Sequence, residues 1–490
     1  MLTRGQRIFL FLLFALAIGF LYVYNLDGTG VLQPDEPRYA SIGRDMARTG
    51  DWVTPRLWGK PWFEKPALVF WLAGLGTVAG LNPDLAGRLP IALLSLFFLW
   101  AWFSLLRAEF GPYAAAIATL LLATSAEWLA YSSLCLTDVP LSVGFSLAVG
   151  LALRIMRKRD VTWEWPLLGC ALGFAILAKG LVPIILAVPL AWFLRRHSRR
   201  WWIPLVSALV VAGPWYALVI ARNGYPFIEE FFLKQHFARL YSNSLQHVQP
   251  VYFYIPVLLG AIFPWTPLLV VIRRTVLRDE RAQCLLATAL FGFVFFSLSL
   301  NKLPGYILPL VPLLFALVGL AFERRRLFEP TRGLLFSCAV LIGAIPFVTQ
   351  VIPELLTSKI ASVQQLLVAV LPITLGMLVL FCTPIVVAAV ANRRVAGPLL
   401  VLCCAVAGIH VRSSVYPVLD RQASARGVWR DISSDVPNVC DGGLHRAWSY
   451  GLAFYNGAPL PLCGTGIYSI HLVQNGSERP VIQRVQTVRP

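Results

Sequence analysis

The chain is short of charge, and the charge it has is lopsided. Only 13% of its 490 residues are charged, 24 acidic against 42 basic, roughly half the share found in soluble domains. Hydrophobic residues make up 58% and the mean hydropathy is +0.69. Apolar runs near 20 residues long recur throughout. A soluble core is therefore excluded and a polytopic helical membrane protein is indicated, since backbone in hydrocarbon must satisfy its hydrogen bonds internally. Walker, dinucleotide-binding and Ser-His-Asp patterns are also missing. No internal repeat or low-complexity segment is visible, which counts against a transporter. No small-residue cleavage site follows the first apolar run, 8–24, so it reads as a retained span rather than a signal peptide. The formal charge of +18 would suit nucleic acid, but most basic residues lie in short clusters between apolar runs. That arrangement is the mark of membrane topology and of loops facing anionic lipid, with no nucleic-acid partner.

Taken as spans, the apolar runs fall near 8–24, 88–106, 112–131, 138–154, 164–179, 181–194, 201–220, 252–272, 282–300, 306–322, 333–352, 365–391 and 397–412, thirteen in all. The clusters at Arg4/Arg7, Arg107, 154–159, 195–200, 273–281, 324–332 and 393–394 then share one face, which the positive-inside rule makes cytoplasmic. The amino terminus is expected inside and the carboxyl terminus outside. On the outer side lies the polar, aromatic segment 25–87, in which 41–49 has the spacing of a short surface helix. Residues 67–80 are apolar but short of a crossing, and read as a re-entrant or interfacial helix, with a true span as the alternative. The expected domains are a membrane part, 1–412, and a small outer domain, 413–490, mostly strand and turn. In an oxidising compartment Cys440 and Cys463 are a candidate disulfide, two free thiols being the alternative. The other seven cysteines lie in or beside apolar runs as packing residues.

Several residues could carry chemistry. Asp35 and Glu36 follow the first span closely, and a carboxylate fixed there could act as a base or hold an acceptor; a solvated turn between Pro34 and Pro37 is an equal alternative. Lys65, Lys179, Arg239 and Lys302 fall on the outer side against the charge bias. Singly each suits snorkelling, but together they suit a phosphate or pyrophosphate. Glu64 and His236 are a possible metal pair, against a simply hydrogen-bonded histidine. Asp138, at an outer helix end, suits substrate hydroxyls or an internal salt bridge. Asp45, Asp51, Asp84 and His247 read as caps or loop residues.

These positions resemble a known family, the polytopic lipid A aminoarabinose transferases, within the GT-C class of polyprenyl-phosphate-sugar glycosyltransferases that also holds the protein O-mannosyltransferases. The likeness lies in Gln33-Pro34-Asp35-Glu36-Pro37-Arg38-Tyr39-Ala40, Gly50-Asp51-Trp52, Phe63-Glu64-Lys65-Pro66, Leu136 to Pro140, Ala178-Lys179-Gly180, Phe231-Phe232 with His236 and Arg239, Gln249-Pro250 before Tyr252-Phe253-Tyr254, and Lys302-Leu303-Pro304 with Tyr306. It spans about residues 8–320. Val139 separates Asp138 from Pro140 and Trp62 replaces a usual tyrosine; the carboxyl-terminal region is unmatched. The resemblance implies a GT-C fold of about thirteen transmembrane helices, periplasmic juxtamembrane helices and a small periplasmic α/β domain. It implies Asp35 as the catalytic carboxylate of an inverting transfer, with Lys65, Lys179, Arg239 and Tyr306 binding the donor phosphate. Glu36, Arg38, Tyr39, Asp138 and Lys302 would line the same cavity, and Glu64 and His236 would hold a structural divalent ion, zinc by preference. The donor would be an undecaprenyl-phosphate sugar, with no nucleotide needed, and the acceptor lipid A or another envelope molecule. The site would work in a monomer among membrane lipids at the bacterial inner membrane. A protein O-glycosyltransferase is the nearest competing reading, and a lipid-linked sugar flippase the one from another class.

Overall fold

The computed structural model describes residues 4–32, 34–157, 162–238, 249–324, 331–356, 374–476 and 479–485. Helix α1 (Arg4–Val23) is followed by a polar segment and by α2 (Asp35–Thr49). Both acids of α2 sit in its first turn, where they complement the helix dipole. The helix stops at Gly50, whose φ of 73° lets its N–H return to the Met46 carbonyl at 2.9 Å, a turn that side chains with a Cβ resist. A two-stranded hairpin, β1 (Arg56–Leu57) with β2 (Lys60–Pro61), turns at Trp58 and Gly59, both with positive φ. It leads into α3 (Leu68–Val78), which packs against α2 and α4 (Pro83–Phe110). With 11 residues, α3 is about 16 Å long, half the hydrocarbon thickness. It is therefore too short to cross a membrane by itself.

The membrane part continues through α5 (Pro112–Ala123), α6 (Ala126–Tyr131), α7 (Asp138–Arg157), α8 (Glu164–Lys179), α9 (Val182–Leu186), α10 (Val188–Phe193), α11 (Trp202–Asn223) and α12 (Tyr225–Ile228). Then come a π-type helix Glu229–Ala238, α13 (Tyr254–Ala261), α14 (Glu280–Leu298), a tight helical turn Pro304–Leu310, α15 (Val311–Arg324), α16 (Arg332–Leu356), α17 (Leu375–Val390) and α18 (Arg393–Gln422). Among the described residues seven helices are long and apolar enough to cross a membrane. Expected runs that are not among the seven include 112–131, 181–194 and 252–272, which are helical but interrupted. Proline and small polar residues cause the breaks: Thr124-Ser125 ends α5, Pro183 and Pro189 restart α9 and α10, and Phe263-Pro264 is a cis peptide. Small residues let the helices approach closely. A Cβ on Gly144 would meet the Ala171 carbonyl of α8 at 2.8 Å, and one on Gly319 would strike the Ala114 carbonyl of α5. Large apolar side chains such as Leu16, Trp100, Leu205, Leu209 and Val390 stay exposed, as a lipid-facing surface requires.

The last helix of the membrane part runs unbroken to Gln422, ten residues past the end of the apolar run at 412. Beyond it the carboxyl-terminal domain holds α19 (Ala425–Ile432) and α20 (Arg446–Asn456) with β3 (Val439–Asp441), β4 (Ile470–Val473) and β5 (Val481–Arg484), in sheet order β3-β4-β5. The first pair is parallel and the second antiparallel, and α20 lies in the connection that a parallel pair needs. The domain is α/β rather than mostly strand and turn. Ala425, Val428 and Ile432 are buried at helical spacing, a pattern that short apolar-polar runs conceal. Cys440 and Cys463 form a disulfide.

Candidate functional site

Two ion pairs of opposite character begin at the first turn of α2. Glu36 points inward, only 1% exposed, and accepts from the Arg88 guanidinium at 2.7 and 2.8 Å. Further donors are the Leu32 N–H at 2.7 Å and the Cys135 N–H at 3.2 Å. Arg88 also donates to the carbonyls of Leu26, Thr29 and Gly30. Glu36, expected to line the cavity, is thus enclosed in a saturated structural pair, because its position on α2 faces α4 and not the loop.

Asp35 faces the other way and pairs with Arg38 one turn on. Arg38 reaches Glu64 as well, at 3.4 Å, and donates through Nε to the Pro34 carbonyl at 3.1 Å. Its guanidinium lies 5.4 Å from the ring centres of both Trp62 and Tyr450. Burial opposes the Arg38 charge, but Asp35, Tyr39 and Glu64 more than offset it and raise its pKa. Tyr39 is buried edge-on between Trp62 and Phe70. Burial and the nearby Asp35 carboxylate push its pKa well above the ordinary tyrosine value, so it stays a neutral hydroxyl.

A cavity of about 160 Å³ opens beside this cluster, lined by Glu64, Lys65, Lys179 and Tyr306 together with Leu181, Val182, Ile185, Phe295 and Phe296. Lys179 closes α8, where its charge suits the helix carboxyl end. Its ammonium binds the Asp138 carboxylate at 2.6 Å and lies 4.5 Å from the centre of the Tyr306 ring. Asp138 is therefore an internal partner of the cavity's cation. Lys302 is turned away from the cavity: at 4% exposure it donates to the carbonyls of Gln249, at 2.9 Å, and Ser299, and so closes the turn whose Ser299 and Asn301 line the wall.

Gln33, Arg239 and His247 lie outside the described residues, as does the side chain of His236. The neighbouring Gln235 lines the same cavity as Glu64, which brings the helix carrying His236 up to it. Among the described residues the one group of three potential metal ligands is Cys440, Cys463 and His471, whose two sulfurs are spent on the disulfide.

Three residues escaped sequence reading. Arg88 had a signal, a cation at the outer end of a span against the charge bias. Asp84, read as a cap or loop residue, did not: it accepts from Arg426 at 3.0 Å and from the Tyr455 hydroxyl at 2.6 Å, tying the carboxyl-terminal domain to α4. Nor did Tyr450, which α20 carries to Arg38 from more than 400 residues away.

Residues 64–221 match the family model described as dolichyl-phosphate-mannose-protein mannosyltransferase. Curated relatives include undecaprenyl phosphate-alpha-4-amino-4-deoxy-L-arabinose arabinosyl transferases. The one from Edwardsiella ictaluri is 31% identical over 62% of this chain and 58% of its own length. A second, from Pseudomonas fluorescens, is 34% identical over 64% and 56%. The chain thus spans under three fifths of the length of these relatives. Among solved structures, ArnT from Cupriavidus metallidurans bound to undecaprenyl phosphate superposes with a TM-score of 0.77 at 22% identity, over 99% of both chains. Its apo state gives 0.75 at 24%, over 96% of this chain and 87% of that one. The resemblance carried by the motifs is borne out, and the fold is the GT-C fold of those structures.

Proposed function

We propose that the chain is an inverting glycosyltransferase that moves 4-amino-4-deoxy-L-arabinose, or a related sugar, from undecaprenyl phosphate to lipid A at the periplasmic face of the inner membrane. The observation that carries this reading is the cavity that Lys65, Lys179 and Tyr306 line together with the apolar Leu181, Val182, Ile185, Phe295 and Phe296. That is a lining for an amphiphile with an anionic head, next to a carboxylate, Asp35, fixed by Arg38. The names of the curated relatives supply the sugar and the carrier.

In the proposed reaction an acceptor oxygen attacks the anomeric carbon, and the bond to the polyprenyl phosphate breaks. The charge developing on the departing phosphate is held by Lys65 and Lys179, with Arg239 as a further cation. Asp138 orients Lys179 for this. A phosphate acceptor needs only to be placed by Asp35; a hydroxyl acceptor gives it a proton. Arg38 fixes Asp35 and Glu64 relative to each other. A divalent ion shared by Glu64 and His236 would brace the loop as a structural group. The enzyme is proposed to work as a monomer, with its amino terminus cytoplasmic and the 413–490 region periplasmic.

Asp35→Asn is expected to leave the protein folded and inserted but to abolish transfer in membranes supplied with donor lipid; full activity would remove Asp35 from the chemistry. The match to the mannosyltransferase model favours protein O-glycosylation as the second reading. Mass spectra of lipid A and of envelope proteins, from cells with and without the gene, separate the two.

A further inference from the structure

Arg412, on α18, is 2% exposed and takes part in none of the contacts above. Its Nη1 donates to the carbonyls of Tyr22, at 3.2 Å, and Tyr24, at 2.9 Å, where α1 ends. Among the described residues Nη2 has no hydrogen-bond partner and no carboxylate pairs with the guanidinium. One other arginine there is buried to this degree, Arg88, and Glu36 answers it. An arginine keeps its charge in a protein. The two carbonyls offer dipoles but no countercharge, so what this buried cation lacks is an anion.

Arg412 also lines a cavity of about 300 Å³ between α6, α16 and α18. The walls are otherwise mainly apolar: Leu129 and Ala130 from α6, Ile345 and Val348 from α16, Cys404 and Gly408 from α18. Ala130 and Val348 are exposed, so the cavity opens on the surface of the membrane part. Cys404, Gly408 and Arg412 follow one another at helical spacing on one face of α18, and the apolar stretch runs about 12 Å from the arginine. A cation at one end of an apolar furrow matches an amphiphile with an anionic head. We propose that this cavity binds an anionic phospholipid of the surrounding membrane, its phosphate on Arg412 and one acyl chain along the apolar walls. The volume suits one chain and not the several of lipid A. A bound phosphate holds Arg412, and through it the end of α1, from which the chain runs to Asp35. The site does not depend on the sugar donor proposed above.

The test is native mass spectrometry of the full-length protein in detergent, with phosphatidylglycerol, phosphatidylcholine, lipid A or inorganic phosphate added. The wild type is expected to bind one phosphatidylglycerol about tenfold more tightly than phosphatidylcholine and to retain no inorganic phosphate. Arg412→Gln should lose that preference, as should Ala130→Phe, which fills the mouth without touching the charge. Lys179→Gln, in the donor cavity, should keep it. A wild type without the preference overturns the site, and so does either of the first two variants if it folds and keeps it; where Arg412→Gln fails to fold, Ala130→Phe decides. Loss of the preference in Lys179→Gln would put the phospholipid in the donor cavity. Displacement by equimolar lipid A would make lipid A the occupant, and retained inorganic phosphate would make this a free-anion site. Each of these three also overturns the proposal, and none bears on sugar transfer from undecaprenyl phosphate.

Discussion

Glu36 and Asp35 are neighbours in sequence with opposite fates, and the difference is one of helix geometry. A step of about 100° along α2 sends one into the contact with α4 and the other toward the loop. The Glu36–Arg88 pair is buried and fully bonded, so removing one partner strands a charge. Arg88→Met is expected to destabilise the protein by about 3–5 kcal/mol, read as a lowered thermal unfolding midpoint of the purified protein, with Glu36→Gln in the same background recovering part of the loss. An unchanged midpoint would mean that the pair holds nothing together. Lys179 and Asp138 act as a unit. Lys179→Gln and Asp138→Asn should each weaken binding of undecaprenyl phosphate, and the double variant should fall well short of the sum. Strict additivity would separate their roles. The outer cations were legible in sequence because they break the charge bias. Their contacts were not, since Lys179 and Lys302 look alike in sequence, and only the fold turns one toward the cavity and the other onto backbone carbonyls.

At the scale of elements, the carboxyl-terminal domain packs against the segment that carries Asp35 and Arg38. Gly30 donates to Asp420 at 2.7 Å, Val31 to the Tyr455 hydroxyl at 3.1 Å, and Arg44 to the Phe454 carbonyl at 2.7 Å. These contacts seat α20 on α2 and leave the Tyr450 ring facing the Arg38 guanidinium. Tyr450→Ala is expected to slow sugar transfer several-fold, the loss of a cation–π contact, while affinity for undecaprenyl phosphate is unchanged. Equal losses in both would point to general loosening of the domain. No periodicity announces this docking. Short apolar-polar runs conceal the helix at 425–432, and its position against α4 depends on Arg426 finding Asp84 at 3.0 Å, a pairing across the length of the chain.

For the whole molecule, the proposed sidedness can be tested from two separate parts of the chain, the arginine clusters and the Cys440–Cys463 disulfide. Reporter fusions after residue 485 are expected to be active only on the periplasmic side, and fusions in the 195–200 loop only on the cytoplasmic side. Alkylation of the unfolded protein should find Cys440 and Cys463 protected until a reductant is added; cytoplasmic exposure of the tail would leave both thiols free and reverse the topology. The interrupted helices matter at this scale as well. Composition marks 112–131 and 252–272 as apolar runs, but Thr124-Ser125 and Phe263-Pro264 break them, and hydropathy windows average such breaks away.

By itself the sequence determined the class of protein, the apolar runs, the sidedness expected of the loops and the residue types able to meet an anionic lipid. These follow from local rules: the free energy of placing each side chain in hydrocarbon, and the bias of basic residues toward one face. The tertiary structure alone decided which acids are paired inside and which face the cavity, and that the distant tail brings the Tyr450 ring against Arg38. Those outcomes depend on contacts between helices far apart in the chain, where burial makes each unmatched charge expensive, and no local pattern encodes them.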